Sequence, residues 1–433
     1  MTRLLTLLCA ASLLATGQAE PLPEQRWSPA ALQSLQASAI RDPFTAHSVE
    51  RARRAEEVAR VRATLALPAG PERDAALPGA LYAIGLFHLD PAPALPALLA
   101  SLKRLPSQPV DAQRALLSAA YRFYPQASRP ALKRLLPRLT TPREFAIAAY
   151  AILAARPQEH DWLMAQLRQA FPDWQNEPRL FALATRLTTR PAPRPPLADL
   201  LAAPLTPGYP VVFSLQRQDR RHPGLVMVRG ADGRFVREAD GNLFHRPQLA
   251  LASSNLPGTI TLGNSPQGIY TIVGSGTADN PWIGPTPYLE SKVPIEASLA
   301  EFAHRPVEGE WRLDHYLAWL PPSWRDYLPI REAWLAGRAG RSEMLMHGTT
   351  ISPDYYAGTS WYPGTPSAGC LVASEYWGPD GTLMHSDQLA LLKAFTRQGQ
   401  DRGYLVVVEL DTQAAPVSLA EVLPVISAVE ARR

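Results

Sequence analysis

Cysteine is nearly absent from this chain. Its 433 residues contain two, Cys9 and Cys370, too few for a disulfide framework. No run of Lys and Arg interleaved with aromatics occurs, nor any recognition-helix or RNA-binding signature, so nucleic acid is not an expected partner. A Gly-rich phosphate loop and a nucleotide fingerprint are both missing. Of His47, His88, His160, His222, His245, His304 and His315, none stands at zinc-ligand spacing from a second ligand, so no metal and no organic cofactor is expected. Long hydrophobic runs are lacking too. The one nearly unbroken apolar stretch, Leu4 to Leu14, is too short to span a membrane, so no integral membrane segment is expected. The formal charge is only +4, compatible with mild attraction to an anionic envelope polymer but too weak to define a partner.

What is present points to export. Arg3 precedes the apolar stretch, and Ala15-Thr16-Gly17-Gln18-Ala19 supplies the small residues that signal peptidases read. Residues 1–19 are therefore expected to be a secretory signal, with the mature protein in the periplasm or cell wall. Cys9 leaves with that signal, so Cys370 is the single mature thiol. Oxidising compartments consume free thiols, so a lone one is either buried and passive or retained because it reacts. Hydrophobic residues make up 46% and charged residues 19%, a balance that implies well-cored globular domains rather than disorder.

The texture of the chain changes once. Residues 20–187 are rich in Ala, Leu, Arg and Pro, with apolar residues at helical spacing. Helices are expected near Asp74–His88, Ala94–Leu105, Ala112–Tyr124, Pro130–Leu139, Pro142–Ala155, His160–Phe171 and Pro178–Leu187. Their regular return suggests an all-α solenoid, HEAT-like, or an irregular bundle, a plausible seat for a protein partner. Residues 188–204, with Pro191, Pro193, Pro195 and Pro196, read as a stiff linker. Residues 205–415 then read as a mostly-β domain, with strands at Val211–Leu215, Leu225–Arg229, Gly268–Val273 and Tyr404–Glu409. Between them Ile295–Leu335 reads as helical; its Trp311, Trp319, Trp324 and Trp334 are core residues or, alternatively, a groove lining. Residues 416–433 are left as a C-terminal tail. The expected fold class is thus α+β and multidomain.

The chemistry-bearing segment is Met346-His347-Gly348-Thr349, followed by Ser367-Ala368-Gly369-Cys370-Leu371. An imidazole near a cysteine favours the thiolate and can later return the proton. Glycines beside both residues would let a substrate backbone approach closely. Backbone N–H groups at the Cys370 turn would suit an oxyanion. Cys370 as nucleophile with His347 as general base and acid therefore reads as an acyl-transfer site, supported by Ser367, Gly369 and Gly348.

This segment resembles the catalytic domain of the L,D-transpeptidases, the YkuD-type peptidoglycan enzymes. His347 and Gly348 match that family's His-Gly element, and Ser367, Gly369 and Cys370 its Ser/Thr-x-Gly-Cys element. Asn264-Ser265-Pro266-Gln267-Gly268-Ile269-Tyr270-Thr271-Ile272 is similar to its upstream strand, and the likeness covers Tyr209 to Leu410. The family commonly has histidine before the glycine, where Ala368 stands, and Arg or Asn two residues beyond the cysteine, where Val372 stands. The resemblance implies a peptidoglycan stem peptide as donor, a Cys370 thioester, and an amine acceptor that yields a cross-link or an anchored protein. The same intermediate resolved by water would make an L,D-carboxypeptidase or endopeptidase, and another acceptor another acyl transfer. A non-catalytic wall-binding scaffold is the alternative of a different class, and a depressed thiol pKa would separate an enzyme from it.

Lesser expectations complete the reading. Thr349, Tyr355, Tyr356, Trp361 and Tyr362 form an aromatic lid or substrate wall, or else a packed loop. His385 is expected to cap a helix or lie at the surface, or alternatively to supply a polar contact. Glu375 is expected to be a solvated acid, or alternatively to replace the polar residue missing at Val372; Asp354 is expected to be a turn residue.

Overall fold

The computed structural model describes residues 26–189 and 192–432, so the expected signal segment, and Pro191 of the expected linker, lie outside the described residues. The first half of the chain is helical: α1 (Pro29–Ser34), α2 (His47–Ala66), α3 (Pro71–Leu86), α4 (Leu95–Leu102), α5 (Val110–Phe123), α6 (Pro125–Leu135), α7 (Pro142–Ala155), α8 (His160–Ala170), α9 (Pro178–Thr188) and α10 (Leu197–Ala202). Proline starts many of these: Pro29, Pro71, Pro125, Pro142 and Pro178 each occupy the first helical position, where the missing N–H would have had no intrahelical partner. Helices α3, α5, α7 and α9 pack in sequence as one row, with α4 and α6 alongside and α8 against α9. Helix α7 runs through the middle: Phe145 to Ala149, Ala151 and Ile152 are wholly buried.

The second half is sheet-rich: β1 (Val211–Gln216), β2 (Gly224–Arg229), β3 (Arg246–Leu249), β4 (Gly268–Gly276), β5 (Tyr288–Lys292), β6 (Met344–His347), β7 (Leu371–Ala373), β8 (Glu375–Trp377), β9 (Leu383–Ser386) and β10 (Gly403–Glu409). Helices α11 (Leu299–Ala303), α12 (Leu313–Ala318) and α13 (Glu332–Arg338) lie between β5 and β6, α14 (Asp387–Thr396) before β10, and α15 (Leu419–Glu430) at the end. Eight strands close a barrel in the order β1-β10-β4-β5-β6-β7-β3-β2, while β8 and β9 form a separate hairpin. The molecule is therefore mixed α+β, helices first and barrel second. Among the described residues no helix is long and apolar enough to cross a membrane.

Side-chain alternation along the strands separates two cores. Val212, Ile272, Met346, Leu371, Leu405 and Val407 face the enclosed side and meet Leu391, Leu392 and Phe395 of α14. Val211, Phe213, Leu215, Tyr404 and Val406 face outward beneath α10, α15 and the 295–335 helices. Trp324 and Trp334 belong to that outer core, and Trp311 and Trp319 pack against it. The tryptophans are thus core residues rather than a groove lining.

Four stretches differ from their sequence-based expectation. Helix α2 escaped notice because it is mostly charged and buries only Val61 and Thr64, leaving almost no apolar period to read. The stretch expected as linker contains α10, whose Leu197, Leu200 and Leu201 are buried. Residues expected as a tail form α15, with Val422, Ile426 and Val429 on one helical face against the barrel. Residues 26–46 also leave the helical row. Leu32 joins the barrel's enclosed core, Trp27 N donates to Ser275 O, and Asp42 N donates to Gly381 O at 2.8 Å.

Candidate active site

Strands β6 and β7 run parallel, pairing Met346 with Leu371 and His347 with Val372. Cys370, one residue before β7, therefore stands level with Leu345, and by alternation shares a face with His347, opposite Met346 and Leu371. The two are offset by two residues, about 7 Å along the strand direction. The structure thus brings the sequence-predicted pair to one end of one strand pair.

His347 is buried, and its Nδ1 lies 2.5 Å from the Gly348 carbonyl oxygen. A carbonyl only accepts, so Nδ1 carries the proton and Nε2 is left as the basic nitrogen. Burial pulls the imidazole down to about 4, partly opposed by the Gly348 bond, so it is neutral at pH 7. The Cys370 thiol donates to Glu343 O at 3.5 Å and accepts from Leu345 N at 3.5 Å. Burial pushes the thiol up to about 11 although the residue keeps some exposed surface; the Leu345 N–H and Arg341 act in the other direction. The depressed thiol pKa expected of an enzyme is therefore not what the resting structure has: thiol and imidazole are both neutral, and the thiol's hydrogen bonds go to backbone rather than to His347.

The turn that presents Cys370 is fixed from within. Ser367 Oγ accepts from Gly369 N at 2.9 Å and donates to Cys370 O at 2.9 Å. The Gly369 N–H is thus committed to Ser367 rather than open to an oxyanion. Gly369 has φ +128°, a conformation side chains rarely adopt, and a Cβ there would meet Gly263 O at 2.7 Å and overlap the Arg341 guanidinium. Ser265, in the segment singled out upstream, donates to Gly369 O at 2.8 Å.

Arg341, which no sequence pattern flagged, lies beneath this turn. It is buried, and Nη1 donates to Asn264 O at 2.8 Å and to Gly258 O, and Nη2 to Gly263 O at 3.1 Å. Burial lowers its pKa while Tyr270, Glu332, Cys370 and Glu296 raise it; a guanidinium stays protonated regardless. A buried cation whose direct partners are carbonyls and the Met344 sulfur thus sits beside the candidate nucleophile. Only its position three residues past α13, shortly before His347, hinted at this, and contacts with distant carbonyls leave no trace in a linear pattern.

Glu375 departs from the solvated acid expected. It is 1% exposed, accepting from Thr349 N at 2.9 Å and from Ser386 Oγ at 2.6 Å. A Cβ on Gly348 would overlap its carboxylate. Gly348 therefore makes room for a buried acid rather than for a substrate backbone. Burial pushes Glu375 up to about 7, against the pull of its Ser386 and Thr349 bonds and of the nearby Thr286 hydroxyl.

The remaining candidates lie elsewhere. Thr349 is buried, its hydroxyl accepting from Ile351 N at 3.1 Å and its carbonyl from Trp377 Nε1 at 2.8 Å. Tyr355 and Tyr356 belong to the helical core, together with Leu256 and Ile260. The Tyr355 hydroxyl donates to Glu50 of α2, and that of Tyr356 donates to Leu86 O of α3 at 2.6 Å. Trp361 packs on Tyr356 and His88, and Tyr362 alone of the four aromatics is exposed. The loop between His347 and Cys370 is consequently clamped onto the helical row. His385 lies at the surface with Nε2 3.1 Å from Asp387 Oδ1, and Asp354 lies in a 3-10 turn. Two surface hollows beside α10, one lined by Arg194, Leu197 and Glu421, include neither Cys370 nor His347. Among the described residues no group of three or more His, Cys, Asp or Glu is placed to hold a metal ion. No family model, curated protein or solved structure matches the chain.

Proposed function

We propose that this chain is a cysteine acyltransferase of the L,D-transpeptidase type, acting on peptidoglycan stem peptides outside the cytoplasm. The observation that carries the reading is a neutral His347 whose Nδ1 is held by the Gly348 carbonyl, leaving Nε2 basic on the same strand-pair face as Cys370. In the proposed reaction the thiol leaves Glu343 O and gives its proton to Nε2 as Sγ attacks a peptide carbonyl carbon. The tetrahedral intermediate collapses, the amine departs with the proton from Nε2, and a thioester remains. An acceptor amine then repeats the sequence in reverse, transferring the acyl group and restoring the thiol. With neutral partners at rest, deprotonation accompanies attack instead of preceding it. Donor and stereochemistry follow from the family resemblance, and the mostly-β domain is the part that carries it. The helical row, clamped to the loop between the two site residues, is the part open to a protein partner.

One observation favours a second reading, a wall-binding scaffold without catalysis: the thiol is raised to about 11 and bonded to backbone. Intact-mass measurement after incubation with a carbapenem or purified muropeptides decides between them. An adduct present in the parent protein and absent in Cys370→Ala supports the acyltransferase, and the muropeptide products separate cross-linking from hydrolysis. With no adduct and no product, the scaffold reading takes its place.

A further inference from the structure

The imidazole and the buried acid share a peptide group. Gly348 supplies the carbonyl that accepts from His347 Nδ1 at 2.5 Å, and Thr349 supplies the N–H of that same peptide unit, donating to Glu375 Oε2 at 2.9 Å. C=O and N–H of one planar unit point in opposite directions, so the three groups form a single chain: carboxylate, peptide, imidazole. We propose that Glu375 is a positioning residue for His347, acting through the Gly348–Thr349 peptide to hold the imidazole tautomer and strengthen Nε2 as a base. The proposal rests on the Cys370–His347 reading and extends it to a residue that reaches His347 through one peptide unit.

Three features of the structure support it. The carboxylate is itself held: Ser386, the N-cap of α14, donates to Oε1 at 2.6 Å, so Oε2 is aimed at Thr349. The residue after the relay peptide is held too, because Trp377 Nε1 donates to Thr349 O, in the next peptide unit, at 2.8 Å. Glycine at 348 leaves the space that the carboxylate fills. Hydrogen bonds in series polarise one another in a low dielectric, so an anion at one end makes the carbonyl at the other a better acceptor from Nδ1–H. A better-held Nδ1–H makes Nε2 more basic, as a carboxylate does directly in a Ser-His-Asp triad. Here a peptide unit stands between acid and imidazole.

The charge on Glu375 changes near neutrality. Burial pushes the group up to about 7, its Ser386 and Thr349 bonds and the nearby Thr286 hydroxyl lower it, and Asp387 raises it. The groups facing it are the neutral Thr286, Thr349 and Ser386, together with Asp387 of α14. Asp387 is in turn met by His385 and Arg246. Around His347 burial and the Gly348 carbonyl dominate. Raising pH through 7 therefore ionises Glu375 while His347 stays neutral, and the relay becomes stronger.

The test is the pH profile of Cys370 alkylation by iodoacetamide in the full chain, for the parent and for E375Q, H347Q and H385Q. Glutamine keeps an acceptor for Thr349 N and removes the charge. General-base groups contribute about 10²–10⁴-fold and a group acting through another contributes less, so a drop of about tenfold is expected for E375Q above pH 8. The parent rate should show a step near pH 7 on the thiol's own slope; E375Q should lose the step and H385Q keep it. If H347Q slows alkylation while the E375Q profile overlays the parent, the relay is overturned and the Cys/His pair stands. If H347Q changes nothing, the underlying site reading fails and takes the relay with it. Should E375Q not fold, ¹⁵N shifts of His347 in the parent decide. A step near pH 7 without ring protonation supports the relay, and a flat response overturns it.

Discussion

The two glycines of the site, Gly348 after the imidazole and Gly369 before the thiol, look alike in sequence and are required for different reasons. Gly348 has ordinary backbone and is needed only for space, which the Glu375 carboxylate takes. Gly369 has φ +128° and lies against a backbone carbonyl, Gly263 O, as well as Arg341. One glycine accommodates a buried anion and the other a buried cation. The acid braces the turn after His347, and the guanidinium ties the floor of the Cys370 turn. A glycine beside a candidate site residue can thus answer to the protein's own buried charges and not only to a ligand.

That contrast breaks most visibly at Arg341. R341Q should lower stability by on the order of 2–4 kcal/mol, because carbonyls of Gly258, Gly263 and Asn264 lose a charged donor inside the protein. Denaturant unfolding measures this, and a change below about 1 kcal/mol would mean the carbonyls find other donors.

At the glycines the effect should be on acylation. G369A should reduce carbapenem acylation about 100-fold or more, and shortening Arg341 should not rescue it, since the Gly263 carbonyl and the backbone angle remain. G348A should also reduce acylation, but the double variant G348A/E375S should recover folding stability relative to G348A, because only a side chain stands in the way. A double-mutant cycle read by thermal unfolding checks the pair. Equal behaviour of the two glycines would erase the distinction drawn above.

A smaller effect separates the two site partners by pH. Glu375 lies at about 7 in the fold against an ordinary 4.5. The native state therefore holds an extra proton between those values, and this group's contribution to stability is lost as pH rises through 7. His347 lies at about 4 against an ordinary 6.5, so its contribution is present above 6.5 and lost as pH falls toward 4. Thermal unfolding against pH should show the parent losing ground to E375Q between pH 4.5 and 7 and gaining on H347Q between pH 4 and 6.5. Glu296, which is also raised to about 7, cancels in both comparisons. Parallel curves would refute the assigned burial of both groups.

The smallest expected change is at the clamp. Y355F removes the hydroxyl bond to Glu50 and should lower stability by about 1 kcal/mol, with acylation nearly unchanged. A large loss of acylation would show that the helical row controls the loop between His347 and Cys370.

The sequence by itself determined the order of the molecule, helices then strands, because proline starts and apolar periods are local signals. All seven expected helices have counterparts, as do the four expected strands. The spacing also marked His347 and Cys370 as candidate partners. What it did not reveal was set by contacts between distant residues. Helix α2 carries too little apolar period to be read, and β3, β6 and β7 are short strands of three or four residues that gain definition from pairing. Tyr355 and Tyr356, open to a reading as a substrate wall, are assigned to the helical core only by the approach of α2 and α3. Glu375 and Arg341 follow the same logic. A charged residue in sequence is expected in water; whether it is buried depends on which carbonyls, hydroxyls and N–H groups the fold brings around it. Residue type and spacing thus fixed the chemistry available, while tertiary structure decided which charges the site keeps dry.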